Sequence, residues 1–213
     1  MIKLEDVSKN IKDRIVLDHI NFTFEDGKVY GLKGINGSGK TMLMRLIAGL
    51  IFPSDGKIFV SEKELGRDIS FPESIGLLLE NPVFLDRYTG LENLKLLAEL
   101  SGSVDVEKLK QILIKVGLDP DDKRKYRKYS LGMKQRLGIA AAIMDEPSIL
   151  LLDEPINALD EDGVELFTKI MNEEKECGTL VILSCHEEMR LREYSDVIVF
   201  MKDGKIVDVE GAK

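Results

Sequence analysis

The sequence has few cysteines, no long apolar run and a deficit of basic side chains. The two cysteines, Cys177 and Cys185, cannot form a disulfide framework, and their spacing fits no zinc ribbon or CxxC motif. No stretch reaches the roughly 18 apolar residues that a membrane span requires. The first residues also lack the apolar run of a signal peptide. We therefore expect a protein of a reducing compartment, with any membrane role supplied by a partner chain.

The charge balance argues against binding to nucleic acid. The 213 residues include 30 Lys or Arg and 38 Asp or Glu, which gives a net charge of -8 and a pI near 5.0. Such a surface repels phosphate backbones as a whole. Residues 123–129 form a basic, aromatic segment that is the one exception. A solvated loop or a contact with a partner chain explains this segment as well, so no nucleic-acid partner is expected.

Predicted strands alternate with predicted helices along most of the chain. Apolar runs and period-two patterns predict strands at 20–24, 29–32, 58–60, 149–152, 180–184, 197–201 and 206–209. Helical spacing and capping residues predict helices at 41–48, after Thr89, at 105–116, 132–144 and 161–177. The alternation indicates an α/β fold with a mainly parallel, doubly wound sheet. We predict one domain, 1–213, whose core (1–80 and 130–213) carries an inserted helical lobe at about 81–129.

A glycine-rich loop follows the second predicted strand. The segment Gly34-Ile35-Asn36-Gly37-Ser38-Gly39-Lys40-Thr41 matches the pattern G-x-x-x-x-G-K-[ST] in full. Its glycines let successive N–H groups converge on phosphate oxygens, and the helix behind it directs its positive end at the same anion. Lys40 adds charge for the β- and γ-phosphates, and the Thr41 hydroxyl can ligate Mg²⁺. The alternative is a purely structural, glycine-rich turn that happens to precede Lys-Thr. The predicted phosphate-binding residues are Gly34, Asn36, Gly37, Ser38, Gly39, Lys40, Thr41 and Met42.

Two acidic residues end a buried strand. Asp153 and Glu154 follow the apolar run 149–152, at the carboxyl edge of the sheet where α/β folds bind ligands. Asp153 is predicted to hold Mg²⁺, directly or through water, and Glu154 to act as general base on the attacking water. Taken alone, the pair fits two solvated acids in a turn equally well. The phosphate loop favours the catalytic interpretation, because parallel topology brings the two strand ends together.

A further motif narrows the family. The segment Tyr129-Ser130-Leu131-Gly132-Met133-Lys134-Gln135-Arg136-Leu137 resembles the signature loop of ATP-binding-cassette (ABC) ATPases, usually Leu-Ser-Gly-Gly-Gln. Glu80 stands at the place of the family's Q-loop glutamine, and His186 at that of its switch histidine. Asn157-Ala158-Leu159-Asp160 resembles the D-loop. With these motifs in order over nearly the whole chain, the sequence is identified as a member of the ABC ATPases.

The resemblance implies a fold and an arrangement of sites. The fold is that of a P-loop NTPase with a RecA-like, mainly parallel sheet, an N-terminal antiparallel β portion and an inserted α-helical subdomain. Two cassettes stack head to tail around two ATP molecules, so that Ser130 and Gly132 of one face the phosphate loop of the other. His186 then positions the γ-phosphate, Asp160 orients the opposite site, and Glu80 contacts the shell of Mg²⁺. A capped helix N-terminus at Ser130 suits this role because it binds anions.

Three departures from the family pattern are informative. Glu80 replaces the usual glutamine, and Leu131-Gly132-Met133 replaces Gly-Gly-Gln. Both variants resemble the bacitracin-resistance and bacteriocin exporter branch. Ile11 stands where many members stack an aromatic ring on adenine, which leaves selectivity for ATP over GTP open.

The function that the resemblance implies is ATP binding and hydrolysis that powers transport, with export expected. Lys40, Glu154 and His186 are the expected catalytic residues. The expected partners are a second nucleotide-binding domain and an integral membrane permease, which places the chain on the cytoplasmic, inner face of the cell membrane. The alternative is a soluble ABC ATPase acting on a ribosome or nucleic acid, although such members carry two cassettes or long coiled coils. A simple P-loop kinase would not need the signature residue Ser130.

Overall fold

The computed structural model describes residues 1–102 and 104–212, which form an α/β fold of three layers. In chain order its elements are β1 (Ile2–Ile11), β2 (Arg14–Phe24), β3 (Val29–Lys33), α1 (Lys40–Ile47), β4 (Asp55–Val60), β5 (Lys63–Glu64), β6 (Ile75–Leu78), α2 (Gly90–Ser101), α3 (Val106–Lys115), a 3-10 turn (Tyr126–Lys128), α4 (Leu131–Ile143), β7 (Ile149–Leu152), α5 (Glu161–Glu176), β8 (Leu180–Ser184), α6 (Glu188–Tyr194), β9 (Val197–Lys202) and β10 (Lys205–Gly211).

The strands form two sheets. The smaller sheet is antiparallel, in the order β2-β1-β4-β5. The larger sheet has the order β10-β9-β3-β8-β7-β6, and its described strands all pair in parallel with their neighbours except β10, which is antiparallel to β9. The predicted combination of a mainly parallel sheet with an antiparallel N-terminal portion is therefore confirmed.

The larger sheet is buried on both faces. Leu150 and Leu152 of β7 point into a core shared with α2 to α6, whereas Ile149 and Leu151 point into a core shared with α1 and the antiparallel sheet. Successive side chains of a strand point to opposite faces, so a strand covered on both sides reads as a continuous apolar run. This explains why the predicted strands at 149–152 and 180–184 show no alternation.

The predicted helix starts are confirmed by their caps. Thr89 and Glu92 form a complete capping box at α2, and Asp105 accepts two backbone N–H bonds at α3. Ser130 and Asp160 cap α4 and α5 in the same way. The helices α2 and α3 lie between β6 and α4, within the predicted lobe, whose boundaries stay a prediction. Among the described helices, none combines the length and apolar content needed to cross a bilayer.

The helix α6 is absent from the sequence-based prediction. It has seven residues, most of them charged or polar, and only Leu191 and Tyr194 are buried in it. A helix this short offers too few turns for a periodic apolar pattern. It nevertheless matters for the fold, because both side chains contribute to the core beneath the larger sheet.

Gly76 on β6 allows α4 to pack directly against the sheet. A Cβ added there would lie 1.9 Å from the backbone carbonyl oxygen of Ala142. Gly76→Ala should therefore lower the free energy of unfolding by about 3 kcal/mol in chemical denaturation. Gly102→Ala is the control, because an added Cβ there meets nothing within 4 Å. The only cost of this substitution is an alanine in a left-handed backbone conformation, at φ 83°. That strain costs about 1 kcal/mol. Equal losses for the two variants would contradict the close packing of α4 on β6.

Candidate functional site

The glycine-rich loop joins β3 to α1. Gly37 and Gly39 adopt left-handed backbone conformations, with φ of 81° and 108°. Gly39 is also the N-cap of α1, and the first turn of this helix contains no acidic residue. Because Gly39 carries no side chain, nothing on the loop competes with an anion for the first N–H groups of the helix. The local geometry is therefore that of an anion-binding helix terminus.

Two polar side chains of the loop are buried. The Lys40 Nζ donates hydrogen bonds to the carbonyl oxygens of Gly34 at 2.7 Å and Ile35 at 3.3 Å, which hold the ammonium group at the loop. The Ser38 hydroxyl is buried and has no hydrogen-bond partner among the described residues. Buried hydroxyls are normally paired, but that of Ser38 lies beside the Gly34 backbone and is shielded from solvent. The loop therefore fits a polyanion.

Asp153, directly after β7, is held by two hydroxyl groups. Its Oδ2 accepts a hydrogen bond of 2.5 Å from Thr41 of α1, and its Oδ1 accepts one of 2.5 Å from Ser184 of β8. Asp153 and Ser184 are both buried. The Thr41 hydroxyl and the Asp153 carboxylate are hard oxygen donors of the kind that Mg²⁺ prefers. The phosphate loop and the acidic strand end are thus in direct contact, as parallel topology predicts.

Glu154 has an unusual backbone and a fixed side chain. Its φ is 52°, and its N–H donates to the Ser184 hydroxyl at 3.0 Å. Its Oε2 accepts a hydrogen bond of 3.1 Å from the backbone N–H of His186, and its Oε1 lies 3.4 Å from the His186 Nε2. Burial raises the pKa of the Glu154 carboxyl above its ordinary value and the Asp153 carboxylate adds to this, while the neighbouring imidazole and backbone N–H of His186 oppose it. The result is a positioned carboxylate of increased basicity.

A cavity of about 360 Å³ connects these groups. Most of the residues predicted for the phosphate and catalytic site meet in it. It is lined by Val16, Asn36, Gly37, Gly39, Lys40, Thr41, Met42, Asp153, Glu154 and His186. Val16 of β2, not Ile11, contributes the aliphatic side of this cavity, while Ile11 lies near the hairpin tip and is 42% exposed.

Glu80 lies apart from this cavity. Its φ is 60°, and its Oε1 pairs with the guanidinium of Arg45 on α1 at 2.6 Å. It lines a second cavity of about 350 Å³, which reaches Asp153 and Glu154 from the side of α4. Within residues 1–102 and 104–212, no three His, Cys, Asp or Glu side chains are grouped to hold a metal ion. A role for Glu80 at Mg²⁺ stays a prediction.

Ser130, Gly132 and Asp160 do not reach the first cavity either. Ser130 caps α4 through a 3.2 Å bond from the N–H of Met133. A Cβ at Gly132 would lie 2.9 Å from the carbonyl oxygen of Ala158, so the first turn of α4 packs against the segment before α5. We call the starts of α4 and α5, with Ser130, Gly132 and Asp160, the tip; its role toward a second cassette stays a prediction.

Sequence reasoning missed Ser184 and Gln135. Ser184 joins Asp153 to the backbone of Glu154, and its signal is a polar residue that ends a buried strand beside His186. Gln135 is buried on α4, and its Nε2 donates to the carbonyl oxygens of Pro155 at 2.9 Å and Glu154 at 3.3 Å. This role of Gln135 is hard to predict from the sequence, because a glutamine in a helix is usually exposed.

Known proteins are similar to this chain in sequence and in fold. The family model described as ABC transporter matches residues 17–157. An uncharacterized ABC transporter ATP-binding protein of Bacillus subtilis (strain 168), YybJ, is 43% identical to this chain and covers 97% of it, over 94% of its own length. The bacitracin transport ATP-binding protein BcrA of Enterococcus faecalis is 39% identical, over 98% of this chain and 68% of its own.

A solved structure has the same architecture. The ATP-binding cassette MJ0796, a dimer in a post-hydrolysis state bound to ADP and Pi, superposes with a TM-score of 0.89. The match is 24% identical in sequence and covers 100% of this chain and 99% of that chain. It confirms the predicted P-loop cassette fold.

Ser184 should contribute to stability through its two hydrogen bonds. Ser184→Ala leaves the Glu154 N–H and one Asp153 oxygen without this partner, so the free energy of unfolding should fall by about 1–3 kcal/mol. Ser195→Ala is the matched control. Its hydroxyl is equally buried but has no partner within the described part of the chain, so its removal should leave stability unchanged. Thermal and chemical denaturation measure both variants. If Ser184→Ala and Ser195→Ala changed stability equally, the assignment of Ser184 would be contradicted.

Proposed function

The chain belongs to the ABC transporter family, and from this we propose that it binds and hydrolyses ATP to power transport by a separate membrane permease. The observation that carries the proposal is the hydrogen bond of 2.5 Å between the Thr41 hydroxyl and the Asp153 carboxylate. This bond joins the phosphate loop to the acidic strand end and leaves Glu154 beside both. The same arrangement provides for an anion, a divalent cation and a base within one cavity.

The phosphate end of the site is built from backbone and lysine. In the proposed function the N–H groups of Gly37, Gly39 and Lys40 bind phosphate oxygens, and the Lys40 ammonium stabilises the charge that develops on the leaving group. Mg²⁺ bound by Thr41 and Asp153 would neutralise charge on the β- and γ-phosphate oxygens. The nucleobase would pack against the aliphatic side chain of Val16, which lines the same cavity.

Glu154 is the proposed general base. The N–H of His186 and the hydroxyl of Ser184 fix its side chain and its backbone, so the carboxylate is aimed before substrate binds. Its raised pKa increases its ability to take a proton from the water that attacks the γ-phosphate. The imidazole of His186 lines the same cavity and is proposed to donate a hydrogen bond to that phosphate.

A second cassette is proposed to complete the site. The first turn of α4, capped by Ser130, has N–H groups that suit an anion, yet it does not line the cavity of its own phosphate loop. A head-to-tail pair would bring Ser130 and Gly132 of one copy to the γ-phosphate bound by the other, with Asp160 beside them. ATP then acts as part of the interface, and the pair is linked to nucleotide by mass action.

The cargo proposal rests on relatives. BcrA, which is 39% identical, is named for bacitracin transport, and the Glu80 and Leu131-Gly132-Met133 variants of this chain resemble the exporter branch. We therefore propose export of a peptide antibiotic, with this chain on the inner face of the cell membrane.

Glu80, through its ion pair with Arg45, would report the state of the phosphate-loop helix to α2 and α3.

Glu154→Gln tests the proposed function directly. The amide keeps the shape of the side chain but cannot accept a proton, so turnover should fall by about 10²–10⁴ while ATP affinity is retained. Glu146→Gln is the control, because Glu146 has a similar left-handed backbone, at φ 51°, but is exposed and outside the site. Steady-state phosphate release and calorimetric ATP binding give the two readouts. Undiminished turnover in Glu154→Gln would remove Glu154 as the base.

A further inference from the structure

The guanidinium group of Arg136 lies where three elements meet. Arg136 belongs to α4, and its side chain is only 15% exposed. Its Nη2 donates to the Asp160 Oδ1 at 2.5 Å, at the start of α5. Its Nη1 lies 3.3 Å from the carbonyl oxygen of Gly117 and 3.5 Å from that of Val116, at the end of α3. One side chain thus joins the signature helix, the helical lobe and the segment of the D-loop.

The surrounding backbone leaves room for this group. A Cβ added at Gly117 would lie 2.2 Å from the Arg136 Nη1, and one added at Gly163 would lie 3.0 Å from its Nη2. The guanidinium is therefore enclosed between the last turn of α3 and the first turn of α5. A cation suits the carbonyl end of α3, and at the start of α5 the Asp160 carboxylate accepts from both the guanidinium and the Gly163 N–H. The hydrogen bond from Arg136 also lowers the pKa of Asp160.

The helix ends themselves do not depend on Arg136. Asp160 caps α5 through its own 3.0 Å bond from the Gly163 N–H. The end of α3 is closed by backbone bonds from Val116, Gly117 and Leu118 to carbonyls of the preceding turn. Arg136 instead holds the end of α3 and the start of α5 next to each other. It stands less than two helical turns after Ser130, close to the tip of α4.

We propose that Arg136 is a positioning residue that holds Ser130 and Asp160 as one rigid unit, so that both meet the nucleotide of a second copy together. The proposal rests on the proposed function, which assigns these two residues to the opposite site. Through Gly117 the same guanidinium ties this unit to α3. A displacement of the helical lobe would therefore move the signature tip and the D-loop segment as one body.

The test compares dimerisation with nucleotide binding in Arg136→Gln, Asp160→Asn and the double variant. Asp160→Asn keeps the cap of α5, since the amide oxygen still accepts the Gly163 N–H, and it loses only the ion pair. Arg192→Gln is the control, because Arg192 pairs with Glu188 and Glu210, both at 3.2 Å, far from this tip in the sequence. Sedimentation velocity with a non-hydrolysable ATP analogue and Mg²⁺ gives the dimer constant, and calorimetry gives the affinity of the monomer for nucleotide.

Each single variant should weaken the nucleotide-dependent dimer about tenfold, and the double variant should lose no more than either one. Monomer affinity for nucleotide should change by less than about twofold, because the phosphate loop is untouched, and Arg192→Gln should behave as wild type. Wild-type dimer constants in both Arg136→Gln and Asp160→Asn would overturn the positioning role alone. If the wild-type chain itself forms no dimer with the analogue, the paired arrangement of the proposed function falls, and the role of Arg136 falls with it.

Discussion

The site depends on one buried carboxylate and the two hydroxyls that hold it. Asp153 accepts from Thr41 on one oxygen and from Ser184 on the other, and a buried carboxylate without such partners would be costly. The order of the larger sheet explains how they meet. The strand β8 lies between β3, which leads into the phosphate loop, and β7, which ends at the acids. It supplies Ser184 and, two residues later, His186, so the middle strand fixes the geometry of both neighbours.

Much of this arrangement could be predicted because it depends on residues that are close together in the sequence. The phosphate loop, the caps at Thr89 and Asp105 and the acids after β7 each depend on a few consecutive residues and on the physics of helix ends and strand ends. Ser184 and Arg136 could not be predicted in their roles, because their partners lie far away in the sequence and depend on which strands and helices are neighbours. Glu80 illustrates the same limit. The resemblance to the ABC ATPases implies a role for Glu80 in the shell of Mg²⁺, whereas the structure pairs it with Arg45, a contact between separate elements.

The residues of the proposed site fall into two groups, and only one group lines the cavity at the phosphate loop. Lys40, Thr41, Asp153, Glu154 and His186 line the first cavity, whereas Ser130, Gly132 and Asp160 of the tip lie outside it and Asp160 pairs with Arg136 of α4. A chain acting alone leaves the second group without a nucleotide. The proposed account uses both groups by placing the tip of one copy over the loop of another, and it makes the stiffness of that tip a property on which coupling depends.

The most direct test of this account mixes two inactive proteins. Lys40→Ala removes the phosphate ligand of a copy's own loop, and Ser130→Arg blocks the tip that the copy offers to its partner. In a head-to-tail pair made of one copy of each, the altered loop of one copy and the altered tip of the other belong to the same nucleotide site. The second site combines the unaltered loop with the unaltered tip and is intact. The account predicts that phosphate release, absent from each protein alone, reappears on mixing. A mixture that stays as inactive as its components, although native mass spectrometry detects the mixed dimer, would contradict a nucleotide shared between two copies.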